Sequence, residues 1–302
     1  MYRLISRRLD GGCYHLTTIW LFTFSDLKTI AAPQTIFGIL NGFHAPIFEI
    51  ATTSSITPGR MICTAFWTYI NLLPFLIDNQ RQPASVEEDR LNKPWRPMPS
   101  KRLAPQQAKT LMFLLYAVAF IASLRLGGLR QCISLMALGY WYNDRGGAAN
   151  CFSRNFINAC GFVCFASGAL EVALGSILPV KPVLFKWLLV IGGVVFSTVQ
   201  LQDMYDQAGD RACGRQTLPL LVGDGTSRWM TALPMLFWSF FGPWFWAAEA
   251  SMWMLCTGTG LVIVSRTLTM RKVSDDKTTF KIWNAWMVFL YMLPIISHRR
   301  SN

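Results

Sequence analysis

Charge is scarce in this sequence. Asp, Glu, Lys and Arg make up 15% of its 302 residues, where soluble domains carry about a quarter. Histidine is rarer still, at three copies, and the eight cysteines include no Cys-x-x-Cys pair. Thiolate and imidazole metal centres, and a disulfide framework, therefore have no support. Cys63, Cys132, Cys160, Cys164 and Cys256 lie inside apolar runs and read as small core residues. Acids are the scarcer sign, 16 against 28 basic residues, for a net charge of +12. Such an excess can mark a nucleic-acid binder. Here the cations sit in short stretches between apolar runs, so no nucleic-acid partner is expected.

Apolar residues fill the space that charge leaves, at 52% of the chain. Residues 182–201 hold one cation in twenty positions, which is enough helix to span a bilayer. Residues 229–268 contain one acid, Glu249, and one cation, Arg266. The pattern predicts spans near 29–48, 58–78, 106–125, 129–145, 154–175, 183–202, 229–246, 248–267 and 281–297. Residues 12–26 read as an interfacial segment, and no cleavable signal pattern follows the basic start. The expected fold is all-α: an integral membrane bundle of about nine transmembrane helices in two four-helix halves around a central cavity. It is expected to be one domain over 1–302, with 1–28 as a cytosolic or interfacial N-terminal segment.

The cations also orient the bundle. With Arg3, Arg7 and Arg8 in the cytosol, the segments after spans two, four, six and eight face the same side. They carry most of the remaining Lys and Arg, from Arg81 to Lys281, as the positive-inside rule expects. Arg60, Arg125, Arg130, Lys181, Lys186, Arg299 and Arg300 fall on the other side. Asp78, Glu87, Glu88, Asp89, Asp203, Asp206 and Asp210 all follow spans two and six.

Two acidic segments carry the chemistry. In QLQDMYDQAGDRACGRQTLP, Asp203, Asp206 and Asp210 are spaced i, i+3, i+7 and share one helix face. Three carboxylates on one face repel and need a cation or protons to coexist. Oxygen ligands without histidine select a hard ion such as Mg2+. Arg211 and Arg215 follow at once and are suited to phosphate oxygens. In the first segment, Asn71 and Asp78 share a face of span two. Glu87, Glu88 and Asp89 follow, and then Asn92, Lys93 and Arg96 in a proline-rich stretch.

These segments resemble the paired aspartate-rich motifs of the UbiA superfamily of intramembrane prenyltransferases. Asp203, Asp206 and Asp210 fill its D-x-x-D-x-x-x-D pattern, and G-D-R-x-x-G-x-x-T-L-P continues intact. The tail of the other motif is present as Asn92-Lys93-Pro94-Trp95-Arg96-Pro97-Met98-Pro99-Ser100. Asp89 fits the last aspartate of N-x-x-x-D-x-x-x-D, but Ser85 and Arg81 occupy the middle aspartate and asparagine positions. Either a short insertion separates Asp78 from Asp89, or Glu88 supplies the missing oxygen. The resemblance implies a prenyl diphosphate substrate and Mg2+ held by Asp78, Glu88, Asp89, Asp203, Asp206 and Asp210. Asp203, Asp206, Asp210 and Asp89 become the catalytic acids. Lys93, Arg96, Arg154, Arg211, Arg215, Asn155 and Asn158 become diphosphate contacts, the lipid bilayer the surrounding medium, and no protein partner is implied.

Tyr69, Tyr140, Trp141, Tyr142 and Tyr205 lie beside the polar motifs and are candidates to face a carbocation. Glu171, an acid inside an apolar run, is a functional candidate by default, but its place near the far end of its span favours a structural hydrogen-bonding group or an exposed helix end. The altered first motif is closest to divergent fungal UbiA-type terpene cyclases, implying ionisation followed by cyclisation of a farnesyl or geranylgeranyl chain. Transfer to an aromatic or other small acceptor is the alternative. A transporter is a third reading, but its sites tend to lie near the midplane, whereas these acids cluster at helix ends. A cytosolic active site is expected, in the endoplasmic reticulum if the source is eukaryotic.

Overall fold

The computed structural model describes residues 11–51 and 55–296. Arg3, Arg7, Arg8, Arg299 and Arg300, used above for orientation, lie outside the described residues. The described chain is helical, with no strand beyond a single Asn150–Gln216 bridge. In chain order the helices are α1 (Gly11–Thr23), α2 (Ala32–Phe43), α3 (Pro58–Arg81), α4 (Pro83–Asn92), α5 (Pro105–Leu126), α6 (Leu129–Asn143) and α7 (Cys151–Leu174). Then follow α8 (Pro182–Thr198), α9 (Leu201–Ala212), α10 (Leu218–Val222), α11 (Asp224–Phe245), α12 (Ala250–Thr269) and α13 (Val273–Met292).

The boundaries have local causes. Pro58, Pro83, Pro105 and Pro182 sit in first turns, where their missing N–H is no loss. Thr57 Oγ1 accepts from the Arg60 amide at 3.3 Å, and Asn150 Oδ1 accepts from the Phe152 amide at 2.9 Å. Gly175, at φ 68°, closes α7 in the left-handed conformation.

Each of the nine expected spans coincides with a helix, but the first is composite. A π-turn (Leu27–Ala31) leads into α2, and a 3-10 turn (Ala45–Phe48) follows it. By length and composition α3, α5 and α7 are apolar enough to cross a membrane, and α8 with α9 would add a fourth if taken as one bent span. α2 is short, and α13 carries charges in its first turns, which removes them from that count.

α3 packs on α5, and α11 packs on α8 and α12. α7 packs on both α2 and α3, and α13 returns against α2 and α12. Polar side chains join helices inside this apolar bundle, as expected where lipid supplies no hydrophobic drive between helices. Trp67 Nε1 donates to Ser123 Oγ at 2.8 Å, Trp283 Nε1 to Thr198 Oγ1 at 3.0 Å, and Gln34 Nε2 to the Tyr291 hydroxyl at 3.0 Å.

The two ends of the bundle differ. At one end α4 packs against α9, so the two acidic segments meet, and Arg81 reaches Asp144 at 3.6 Å. At the other end Glu171 accepts from the Gly128 amide (2.8 Å), the Leu178 amide (3.1 Å) and Arg130 Nη2 (2.8 Å). Glu171 is thus a fully used structural acceptor.

Gly38 is where α2 meets α7. A Cβ there would stand 2.6 Å from the carbonyl carbon and oxygen of Ala169. Gly38→Ala is expected to destabilise the fold by about 1–3 kcal/mol through overpacking. Gly258→Ala meets nothing within 4 Å and is expected to be neutral or mildly stabilising. Thermal unfolding in detergent checks the pair; equal midpoints would refute the close α2–α7 contact.

Candidate active site

The second acidic motif owes its position to a break in the chain. α8 and α9 meet at 44°. Asn155 Nδ2 donates to the Phe196 carbonyl at 3.2 Å and to Gln200 Oε1 at 2.9 Å, which ties the break to α7. α9 then runs with Asp203, Asp206 and Asp210 on its buried face. Gly209 lets α4 approach, since a Cβ there would collide with Asn92 Nδ2 and Glu88 Cγ.

A cavity of about 320 Å3 opens between these elements. Glu88 and Asp206 line it, while Asp203 and Asp210 are fully buried behind them. Each acid has a cation. Arg154 Nη1 is 2.7 Å from Asp203 Oδ1, and Lys93 Nζ is 3.6 Å from Asp206 Oδ2. Arg215 binds Glu88, lies 3.4 Å from Asp210 Oδ1, and donates to Ser85 Oγ at 3.2 Å. Tyr142 orients Arg154, whose Nε donates to the tyrosine hydroxyl at 3.3 Å.

These cations do not satisfy the carboxylates. Arg154 lies close to Asp203 but in poor hydrogen-bond geometry. Both Asp203 oxygens and Asp210 Oδ2 are buried without a hydrogen-bond partner among the described residues. Orphaned buried acceptors are costly, and a set of carboxylate oxygens is what a hard divalent cation takes. The residues therefore fit Mg2+. Glu88, Asp210 and Cys213 also bring one ligand atom each within 4.8 Å of one another. The thiol, being soft, does not suit the same ion.

Several expected site residues are placed elsewhere. Asp78 does not line the cavity. It pairs with Arg81 Nη2 at 2.6 Å and accepts from Asn143 Nδ2 at 3.2 Å, while its neighbour Asn79 faces the cavity. Asp89 gives both oxygens to Arg96 Nη1, at 2.9 and 3.0 Å, and so positions Arg96 in the cavity wall. Burial pushes the Asp89 carboxyl above its ordinary range, and Arg96 and Lys93 pull against that shift. Arg211 is exposed, and Asn155 braces the α8–α9 break. Arg154, Asn158, Lys93, Arg96 and Arg215 do line the cavity. Glu87 faces outward and pairs with Arg90 at 2.5 Å.

The sequence reading did not assign Asp26, Lys28, Asn92, Gln202, Lys277 and Lys281 to the site, yet all line the cavity. Asp26 and Lys28 precede the first span and Lys277 and Lys281 open the last. Their shared end of the bundle was the available signal. Of the aromatic candidates, Tyr142 and Tyr205 reach the cavity, whereas Tyr140 and Trp141 are exposed. Tyr69 lies by Thr23, at 3.4 Å. Beneath the polar mouth an apolar pocket continues, sharing Ile30, Phe75, Asn158 and Phe162 with it and ending against Leu138 and Phe165.

Asp89 pairs with Arg96 and does not line the cavity, which gives a contrast. Asp89→Ala leaves a buried guanidinium short of its partner and is expected to cost about 3–5 kcal/mol. Asp206→Asn removes one of several crowded acids and is expected to leave the unfolding midpoint near that of the parent. Thermal unfolding in detergent separates them, and a midpoint unmoved by Asp89→Ala would contradict this assignment.

Comparison with known proteins gives the family. The chain is 26% identical over 290 residues to the fumagillin beta-trans-bergamotene synthase of Aspergillus fumigatus, covering 95% of this chain and 94% of that protein. It is 27% identical over 277 residues to the somaliensene A/B synthase of Streptomyces somaliensis, covering 88% of each. Its fold matches a UbiA homolog from Archaeoglobus fulgidus, whose structure was solved bound to GPP and Mg2+. That match has a TM-score of 0.61 at 13% identity, over 89% of this chain and 99% of the other. Residues 82–292 match the UbiA prenyltransferase family as a whole. With its apolar helices and paired acidic segments, the chain belongs to the UbiA prenyltransferase family and is an integral membrane enzyme.

Proposed function

We propose that this enzyme ionises a prenyl diphosphate, farnesyl or geranylgeranyl, with Mg2+ and closes the resulting allylic cation on its own double bonds, as a terpene cyclase. The observation that carries the reading is the junction of two environments. A polar mouth holds partnerless buried carboxylate oxygens beside guanidinium and ammonium groups, and it opens directly into an apolar, aromatic pocket.

Asp203, Asp206, Asp210 and Glu88 would hold Mg2+, which when bound would neutralise the diphosphate and stabilise charge on the leaving group. Arg154, Arg215 and Lys93 keep these carboxylates apart and add donors at the cavity wall. As the C–O bond breaks, its electron pair leaves with the diphosphate, and the allylic cation remains in the pocket. There Phe75, Phe162 and Phe165 offer ring faces, and Ile30 and Leu138 exclude water that would quench the cation. The polar residues lining that pocket are Asn71 and Asn158. Neither is an acid or base suited to activate a second substrate, which favours cyclisation over transfer. The near full-length likeness to two terpene synthases supports the same reading.

Incubating the purified enzyme with farnesyl and geranylgeranyl diphosphates and Mg2+, without acceptor, is expected to give a cyclic hydrocarbon. Intact substrate or linear alcohols would refute cyclisation, and a prenylated product formed only with an added aromatic acceptor would establish transfer instead. Asp203→Asn, Asp206→Asn and Asp210→Asn are each expected to lower turnover by about a hundredfold or more. Asp78→Asn is expected to retain most activity, because Asp78 lies outside the cavity.

The site is proposed to face the cytosol. Impermeant thiol reagents at cysteines introduced into the 81–102 and 211–228 segments are expected to label both from the cytosolic side. Labelling of the two from different sides would overturn this topology.

A further inference from the structure

The arginines in the cavity wall, and Lys93, are committed to carboxylates. Three other cavity-lining cations are not: Lys28 in the π-turn before α2, and Lys277 and Lys281 on α13. Among the described residues none of these three has an ion-pair partner. Like charges held together at the mouth of a cavity repel unless an anion joins them. Burial and repulsion from Lys281 lower the proton affinity of Lys28, and Asp26, in the same cavity wall, pulls against that shift without forming an ion pair with it.

The cluster is held in place. Lys277 Nζ lies 5.9 Å from the centre of the Tyr205 ring, between Asp203 and Asp206 in the chain. The start of α13 is clamped by the buried Arg228, which donates to both oxygens of Asp276 at 2.9 and 2.8 Å. Arg228 also donates to Asp224 Oδ2 at 2.9 Å, and Gln207 of α9 donates to Asp224 Oδ1 at 3.0 Å. One chain of hydrogen bonds thus runs from the acidic helix to the helix that carries Lys277 and Lys281.

We propose that Lys28, Lys277 and Lys281 form a second diphosphate-binding wall, contributed by the N-terminal and C-terminal elements of the bundle and facing the same cavity as the acidic motifs. The inference rests on the proposed reading of this cavity as a diphosphate site. The ligand is the diphosphate group itself, whether carried by the prenyl substrate or released as inorganic pyrophosphate. Ammonium groups suit this role, because they donate to phosphate oxygens without the fixed fork of an arginine and can follow the group as it enters and leaves. Lys28 precedes the first acidic segment, and Lys277 and Lys281 follow the second, so this wall is not part of either motif.

The test is calorimetric binding of inorganic pyrophosphate, with Mg2+, to the full chain in detergent. Combined Lys28→Gln, Lys277→Gln and Lys281→Gln substitution is expected to weaken binding by roughly tenfold or more, since charge-assisted hydrogen bonds are lost. Arginine at the same three positions is expected to restore most of it. Lys272→Gln, on the same end but outside the cavity, is expected to change nothing. With farnesyl diphosphate the glutamine variant is expected to raise KM more than it lowers kcat. Should the triple variant aggregate, Lys277→Gln and Lys281→Gln alone are each expected to weaken pyrophosphate binding. Unchanged pyrophosphate affinity in variants that still turn over substrate would overturn the lysine wall and leave the proposed function standing. Weakened affinity in variants of an enzyme that turns over no prenyl diphosphate would support the wall and overturn the proposed function.

Discussion

Burying carboxylates at the end of a membrane bundle is the constraint on which the rest of this structure depends. An unpaired charge in such surroundings is far too costly to keep, and a pair is tolerated only with good geometry. Each buried acid therefore recruits a cation. Arg154 brings α7 to Asp203 on α9. Arg215, beyond α9, brings α4 to it through Glu88, and Arg96 folds the proline-rich segment back onto Asp89. The same contacts that compensate charge thus decide which helices meet, and the 44° break between α8 and α9 lets them do so.

Glu171 and Asp203 show how structural and functional acids differ within one bundle. Both are buried acids in otherwise apolar surroundings. Glu171 has amide and guanidinium donors on both oxygens and needs nothing further. Asp203 has an arginine nearby and no hydrogen bond to either oxygen. The first arrangement lowers the energy of one state. The second leaves acceptor capacity that a divalent ion can use. The two acids sit at opposite ends of the bundle, which divides it into a locked end and a receptive one.

The altered first motif also has a physical explanation. Where the family pattern carries an aspartate, Ser85 accepts from Arg215, and the adjacent Glu88 faces the cavity. Replacing an acid by a neutral hydroxyl at that point spares a further repulsion beside Glu88 and Asp210. Asp89 keeps its place in the pattern but serves Arg96 instead of the cavity. The motif loses an aspartate at Ser85, Glu88 lines the cavity and Asp89 pairs with Arg96.

Much was legible in the residues themselves. Long apolar runs with few charges dictate helices in lipid, because only closed backbone hydrogen bonding survives there. The i, i+3, i+7 spacing puts Asp203, Asp206 and Asp210 on one face of any helix they form, and the cations beside them imply an anionic ligand. Helical periodicity fixes a face but not the partners a side chain finds there, so it did not determine where Asp78 and Asp89 point. Asp78 turns to Arg81, one helical turn on, and to Asn143, far along the chain, and Asp89 turns to Arg96, past Pro94. Nor did sequence bring Lys28 to Lys277 and Lys281, which are separated by most of the chain. Their meeting depends on α13 packing back against α2, a long-range contact that local residue patterns do not encode.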